Sequence, residues 1–125
     1  MAEREHVILY VDDDPDYRLA VRQLLEANGL RVIEAADGEA GFRAFREHKP
    51  DLVIVDLMME EIDSGVNFMR EVRGTGSKTP VYLMSSVADS LATTTNASEL
   101  GFAGVVQKPF GKDWLMAIVR AHFSK

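Results

Sequence analysis

Three short apolar runs constrain the fold of this chain more than any other feature of its sequence. They are Val7–Val11, Leu52–Val55 and Val81–Met84, and each is nearly continuous rather than alternating with polar residues. A strand that is covered on both faces has this pattern, whereas a strand with one exposed face alternates. The runs therefore predict central strands of a parallel sheet with helices on both of its faces.

Segments with helical spacing separate these strands from two weaker strand candidates, Arg31–Ala35 and Gly104–Gln107. The alternation predicts an α/β fold, a doubly wound parallel sheet of five strands with about five helices. The weakest helix is the one expected over residues 89–100, because its threonines and asparagine favour helices poorly. The other predicted helices are Tyr17–Ala27, Glu39–His48, Val66–Arg73 and Trp114–Phe123.

The inward side of each helix follows from its apolar spacing. In the first helix we expect it to consist of Leu19, Ala20, Gln23, Leu24 and Ala27. In the second helix we expect Ala40, Phe42, Ala44 and Phe45 to lie inward.

The length, charge and composition of the chain disfavour several classes of function. The 125 residues fit one domain, 1–125. With 14 basic and 20 acidic residues the formal charge is −6, which disfavours direct binding of this segment to nucleic acid. The absence of cysteine excludes disulfides, thiolate catalysis and cysteine-based zinc sites. No apolar run approaches the length of a membrane span, so we expect a cytoplasmic protein with no membrane contact.

Polar residues gather where the strands are predicted to end. In open parallel sheets, ligands bind at the carboxyl ends of the strands. The first strand is followed by three acids, the third ends at one acid, the fourth is followed by two serines and the fifth by a lysine. In chain order these residues are Asp12, Asp13, Asp14, Asp56, Ser85, Ser86 and Lys108.

Carboxylates that converge repel one another unless a cation compensates, and Mg²⁺ is the cation that suits a few carboxylates together with phosphate oxygens. Two plainer interpretations stay open from the residues alone. Asp12 to Asp14 can be a helix N-cap with an acidic first turn, as Asp14 before Pro15 suggests. Lys108 can be an ordinary surface lysine. Asp56 is harder to explain in this way, because it directly follows four apolar residues and would carry a partly buried charge.

Taken together, these residues resemble the receiver domain of two-component response regulators, of the kind found in chemotaxis regulators. The resemblance covers nearly the whole chain and implies the flavodoxin-like strand order 2-1-3-4-5, which a chemotaxis member of the family exemplifies. The stretches that carry it are Ile8–Pro15, Pro50–Met59, Pro80–Ser85 and Lys108–Phe110.

The resemblance implies a role for each site residue. Asp56 is the expected phosphoacceptor, attacking the phosphoryl group of a phosphohistidine to give an acyl phosphate. Asp13 and Asp56 are expected to bind Mg²⁺ directly and Asp12 mainly through water. The backbone carbonyl of Met58 is a further implied ligand. Ser85 and Lys108 are the expected partners of two phosphoryl oxygens.

The implied partner is a sensor histidine kinase or a phosphotransfer protein of a phosphorelay. Phosphorylation is expected to repack the face formed by the fourth helix, fifth strand and fifth helix, through which two copies can pair. The chain would catalyse only its own phosphorylation and dephosphorylation and would not be an enzyme in the usual sense. The alternatives are a degenerate receiver that acts as a scaffold and, with less support, a haloacid-dehalogenase-like phosphatase. Such phosphatases usually carry a second aspartate where this chain has Met58.

Overall fold

The computed structural model describes residues 6–56, 64–86, 103–108 and 112–123 of the chain. The predicted helix over residues 89–100 lies outside these residues, so the last helix, which was expected to be the fifth, is called α4. In chain order the elements are β1 (Val7–Val11), α1 (Pro15–Glu26), β2 (Arg31–Ala35), α2 (Gly38–His48), β3 (Leu52–Asp56), α3 (Ser64–Gly74), β4 (Val81–Ser86), β5 (Gly104–Lys108) and α4 (Lys112–Phe123).

The five strands form one sheet in the order β2-β1-β3-β4-β5, and every neighbouring pair is parallel. The predicted fold class and strand order are confirmed. In the central register Val11 of β1 lies beside Ala35 of β2 and Val55 of β3, while Asp56 lies beside Met84 of β4. The carboxyl ends of β1 and β3 therefore meet at one edge of the sheet.

Alternate residues of the buried strands feed two separate cores, because successive strand side chains point to opposite faces. Leu9 and Val11 belong to one core with residues of α2 and α3, namely Phe45, Phe68, Met69 and Val72. Ile8 and Tyr10 belong to the other core with residues of α1 and α4, namely Val21, Leu25, Leu115 and Val119. Both faces of the sheet are covered, as the continuous apolar runs predict.

The inward side of α1 differs from the prediction. Leu19, which the spacing placed inward, is 52% exposed, whereas Val21 and Leu25 are buried. Tyr17 and Leu24 pack against the same core. The helix therefore faces the sheet along positions 17, 21, 24 and 25, a stripe with the same periodicity but rotated relative to the expected one. In α2 the expected inward residues do pack against the core, with Phe45 fully in it.

Helix α2 approaches the sheet closely because residue 41 is glycine. A Cβ atom at Gly41 would lie 2.9 Å from Cγ2 of Val11 and 3.2 Å from Cε1 of Phe68. Val11 and Phe68 are both fully buried, so neither has free space to move into. The missing side chain lets α2 cover β1 immediately before the acidic segment that follows it.

Several strands extend further than the apolar runs indicate. Asp56 is the last residue of β3, Ser85 and Ser86 end β4, and Lys108 ends β5, although the sequence placed the serines and the lysine after their strands. The parallel ladder continues through these polar positions, with Ser86 of β4 beside Lys108 of β5. Backbone pairing does not depend on side-chain polarity, so an apolar run marks the buried part of a strand and not its end.

Candidate functional site

Three carboxylates meet at the carboxyl edge of the sheet. Asp12 and Asp13 follow β1, Asp56 ends β3, and one carboxylate oxygen from each lies within 4.8 Å of the others. Asp12 is fully buried and Asp56 is 3% exposed, whereas Asp13 is exposed. The cluster therefore has a buried floor of two acids and one acid that is open to solvent.

Asp12 is held at both oxygens of its carboxylate. The Tyr10 hydroxyl donates to Oδ2 at 2.6 Å, and the backbone N–H of Asp14 donates to Oδ1 at 3.0 Å. The backbone N–H of Asp12 itself donates to the carbonyl of Ala35 in β2 at 3.0 Å. Both the main chain and the side chain of Asp12 are thereby fixed. Hydrogen bonds to an ionised acceptor are the stronger kind of hydrogen bond, so these donors hold the carboxylate firmly.

The surroundings of Tyr10 shift the pKa of its phenol. Its side chain is fully buried in the core between the sheet and α1. Burial raises the pKa of the Tyr10 phenol far above its usual value, and the hydrogen bond to Asp12 and the negative charges of Asp12 and Asp56 raise it further. The phenol therefore remains a protonated donor toward the carboxylate.

A side-chain network ties the segment after β1 to the neighbouring strand. Arg18 of α1 donates from Nη1 to the carbonyl of Asp12 at 2.7 Å and from Nε to Glu34 of β2 at 3.2 Å. Glu34 also accepts from Nη1 of Arg22 at 2.8 Å. Because Arg18 is mostly shielded from solvent, its contacts are screened less than those of an exposed pair. The first turn of α1 is thereby fixed relative to β2.

Asp14 has a different role from its two neighbours. It is the N-cap of α1, where its side chain accepts from the backbone N–H of Asp16 at 3.0 Å and of Tyr17 at 3.3 Å. Pro15 occupies the first turn of the helix, as expected. The plain helix-cap interpretation therefore holds for Asp14, while Asp12 and Asp13 belong to the acidic cluster.

The remaining predicted site residues are placed by backbone register. Ser85 follows Met84, the residue that lies beside Asp56, so it is one position beyond the acid along the sheet. Lys108 ends β5 beside Ser86. Neighbouring parallel strands lie about 4.8 Å apart, which puts the backbones of β3 and β5 roughly 10 Å apart across β4. Met58 lies outside the described residues.

The chemistry of the acidic cluster fits a hard divalent cation. Its donors are carboxylate oxygens, which Mg²⁺ prefers over nitrogen or sulfur, and one of the three acids, Asp13, is exposed to solvent. Three anions within this distance also repel one another, and a bound cation relieves that repulsion. Asp12, Asp13 and Asp56 are thus the described residues suited to hold the metal.

Tyr10, Arg18 and Glu34 are not predicted from the sequence as residues of the site. Tyr10 carries a signal in hindsight, because it is the only polar side chain within the β1 run. Its position two residues before Asp12 puts both side chains on the same face of an extended strand. Arg18 and Glu34 carry no comparable signal, since their contact depends on how α1 packs beside β2.

The sequence from residue 8 to residue 120 matches the model of the response regulator receiver domain. This chain belongs to the response regulator receiver domain family. Receiver domains are signalling modules of two-component systems rather than enzymes that act on an external substrate. The acidic cluster lies at the carboxyl edge of the sheet of this receiver domain.

Relatives of known name agree with this family. The receiver domain is 39% identical over 121 residues to the transcriptional regulatory protein CseB of Streptomyces avermitilis, covering 97% of this chain and 50% of that protein. It is 36% identical over 115 residues to the transcriptional regulatory protein KdpE of Mycobacterium tuberculosis, covering 92% of this chain and 50% of that protein. The chain thus spans half the length of each of these relatives.

A solved structure is similar over almost the entire receiver domain. The crystal structure of a response regulator receiver domain protein from Clostridium thermocellum superimposes with a TM-score of 0.85 at 26% sequence identity. The match covers 94% of this chain and 93% of that one. Among the described residues, no helix combines the length and the apolar character needed to cross a membrane.

Proposed function

We propose that residues 1–125 form one receiver domain that accepts a phosphoryl group on Asp56 from a phosphohistidine donor. The observation that carries the proposal is the convergence of Asp12, Asp13 and Asp56 within 4.8 Å at the carboxyl edge of the sheet. Asp56 is 3% exposed, ends a buried strand and lies beside two more acids. A carboxylate in this position destabilises the fold unless a cation compensates its charge.

The proposed cofactor is Mg²⁺, held by Asp13 and Asp56 directly and by Asp12 mainly through water, with the carbonyl of Met58 as a further ligand. When bound, the ion neutralises charge on the acceptor and on the incoming phosphate. The exposed position of Asp13 supports its proposed role as a direct ligand, since an ion can reach it from solvent.

The proposed transfer is a displacement at phosphorus. One carboxylate oxygen of Asp56 forms a bond to phosphorus while the bond between phosphorus and the imidazole nitrogen of the donor breaks. The electron pair of that bond returns to the imidazole, and the product is an acyl phosphate on Asp56. The chain contributes position and charge. Ser85 is proposed to donate to one phosphoryl oxygen and Lys108 to pair with another, from the ends of β4 and β5.

The same site is proposed to reverse its own phosphorylation and to switch a surface. The acyl phosphate adds negative charge beside Ser85, whose strand continues into the segment before β5. Movement of that segment repacks the face of β5, α4 and the predicted helix between β4 and β5. Two copies can pair through this face.

We also propose the cellular setting from the family. The donor is a sensor histidine kinase or a phosphotransfer protein, and the segment acts in the cytoplasm without contacting nucleic acid itself. The formal charge of −6 supports the last point, because a nucleic-acid surface requires basic residues.

A phosphorylation assay tests the proposal. The purified protein is incubated with a small-molecule phosphodonor, with and without Mg²⁺, and its intact mass is recorded. We expect one added phosphoryl group that requires Mg²⁺ and is lost in Asp56→Asn. The matched control is Asp14→Asn, which makes the same chemical change two residues from Asp12. It is expected to leave labelling intact, because asparagine caps a helix as well as aspartate.

The alternatives give different results. A folded wild-type protein that gains no phosphoryl group would contradict the proposal and indicate a degenerate receiver that acts as a scaffold. Sustained hydrolysis of an external phosphate ester would indicate a phosphatase. Label that is stable in acid but released by alkali and by hydroxylamine would identify the acyl phosphate.

A further inference from the structure

We propose that Tyr10 is a positioning residue of the receiver site, which sets the orientation of Asp12 toward Mg²⁺ through a buried hydrogen bond. The inference rests on the proposed function, because it concerns the same cation. Tyr10 lies within β1, where its ring is part of the hydrophobic core and its hydroxyl contacts the site.

The contact is short and completely enclosed. The hydroxyl of Tyr10 lies 2.6 Å from Oδ2 of Asp12, and both residues are 0% exposed. The Tyr10 hydroxyl is therefore a donor that the fold itself supplies to the Asp12 carboxylate. A carboxylate in the interior needs such donors, since an ionised acid without them is strongly disfavoured there.

The bond restricts what Asp12 can offer to a cation. A carboxylate has about four lone-pair positions on its two oxygens. The Tyr10 hydroxyl uses one on Oδ2, and the backbone N–H of Asp14 uses one on Oδ1. These two donors fix the plane of the carboxylate and thereby the direction in which Asp12 faces the cluster.

The geometry of β1 explains why residue 10 can have this role. Residues 10 and 12 share one face of an extended chain, so the ring of Tyr10 packs in the core while its hydroxyl reaches the edge of the sheet. Phenylalanine would fill almost the same space without the donor. Replacing Tyr10 by phenylalanine therefore tests the hydrogen bond to Asp12 while leaving the packing of the ring in the core nearly unchanged.

The test compares Mg²⁺ affinity in two variants that each lose one tyrosine hydroxyl. Tyr10→Phe removes the donor to Asp12, and Tyr82→Phe removes a hydroxyl from a half-buried tyrosine that packs against the same core. Titration of the ¹⁵N-labelled proteins with magnesium chloride gives the dissociation constant from amide shifts, without any phosphodonor. We expect Tyr10→Phe to bind Mg²⁺ about tenfold more weakly, the usual effect of losing a partner of a metal-binding side chain. Tyr82→Phe should match the wild type.

A spectroscopic measurement on the natural chain provides a second test that does not depend on the folding of a variant. With ¹³C at the ζ carbon of tyrosine, addition of Mg²⁺ should shift the Tyr10 resonance and leave that of Tyr82 in place. A Tyr10→Phe affinity within twofold of the wild type, or above it, would overturn the inference. So would a Tyr10 resonance that does not respond to a saturating amount of Mg²⁺.

The two proposals fail separately. If the wild type binds Mg²⁺ and is phosphorylated on Asp56 but Tyr10→Phe binds equally well, only the role of Tyr10 is wrong. If the wild type does not bind Mg²⁺, the proposed function is wrong and the inference falls with it.

Discussion

Replacing Gly41 by alanine should destabilise the protein, although alanine is the better helix former. In the interior of a helix, alanine is favoured over glycine by about 0.8–1.0 kcal/mol. Against this gain, the new methyl group would lie 2.9 Å from Cγ2 of Val11 and 3.2 Å from Cε1 of Phe68. Both neighbours are fully buried, and the side chain of valine is stiff about its first torsion.

The balance of these two effects gives the expected magnitude. Inserting a carbon into a packed core costs about 1–3 kcal/mol. The Gly41 site belongs in the upper half of that range because both contacts fall on enclosed groups. After the gain in helix propensity, we expect a net loss of about 1–2 kcal/mol in the free energy of unfolding. For a chain of this size the loss corresponds to a decrease in Tm of roughly 4–8 °C.

Gly74→Ala is the matched control, because Gly74 ends α3 and a Cβ atom there would meet nothing within 4 Å. Urea denaturation of both variants, followed by circular dichroism, measures the two free energies. We expect opposite signs, with Gly74→Ala neutral or stabilised by a few tenths of a kcal/mol. An increase in stability in both variants would refute the close packing of α2 against β1.

Two further predictions concern the charged groups. Tyr10 keeps its proton in the folded state, whereas in the unfolded chain it loses the proton above pH about 10. Above that pH the free energy of unfolding should therefore fall by about 1.4 kcal/mol per pH unit because of Tyr10. Urea titrations at several alkaline pH values should show a shallower fall in Tyr10→Phe; equal slopes would contradict the assignment. Mg²⁺ at ten times its dissociation constant should stabilise the protein by about 1.4 kcal/mol. Asp13→Asn should lose that gain at the same Mg²⁺ concentration, and retention of the full gain would exclude Asp13 as a ligand.

The sequence predicts the sheet better than the packing of its helices. Continuous apolar runs at β1, β3 and β4 are sufficient for parallel strands, and the edge where ligands bind follows from that fold alone. The predicted inward side of α1 was right at Leu24 and wrong at Leu19, because two stripes of similar periodicity compete on this helix and the buried one passes through Val21 and Leu25. Only the position of the neighbouring sheet decides between them.

In the site, too, the sequence predicts which residues lie at strand ends but not the contacts between elements. Asp12, Asp13 and Asp56 could be grouped from the sequence because each lies at a strand end, and the structure brings them together. The donors that fix Asp12 could not be grouped in this way. Tyr10 looked like part of a hydrophobic run, and the carbonyl of Asp12 that Arg18 contacts has no signature in a sequence. The close approach at Gly41 likewise depends on a partner in another element.

The division of β1 between two cores limits how its length can change. Leu9 and Val11 supply one core and Ile8 and Tyr10 the other, and the strand has neighbours on both sides. Deleting or inserting one residue within β1 would exchange these two sets and turn the residue at position 12 away from its cluster. Substitutions in this strand can be absorbed one at a time, whereas a change of length would disrupt both cores and the site at once.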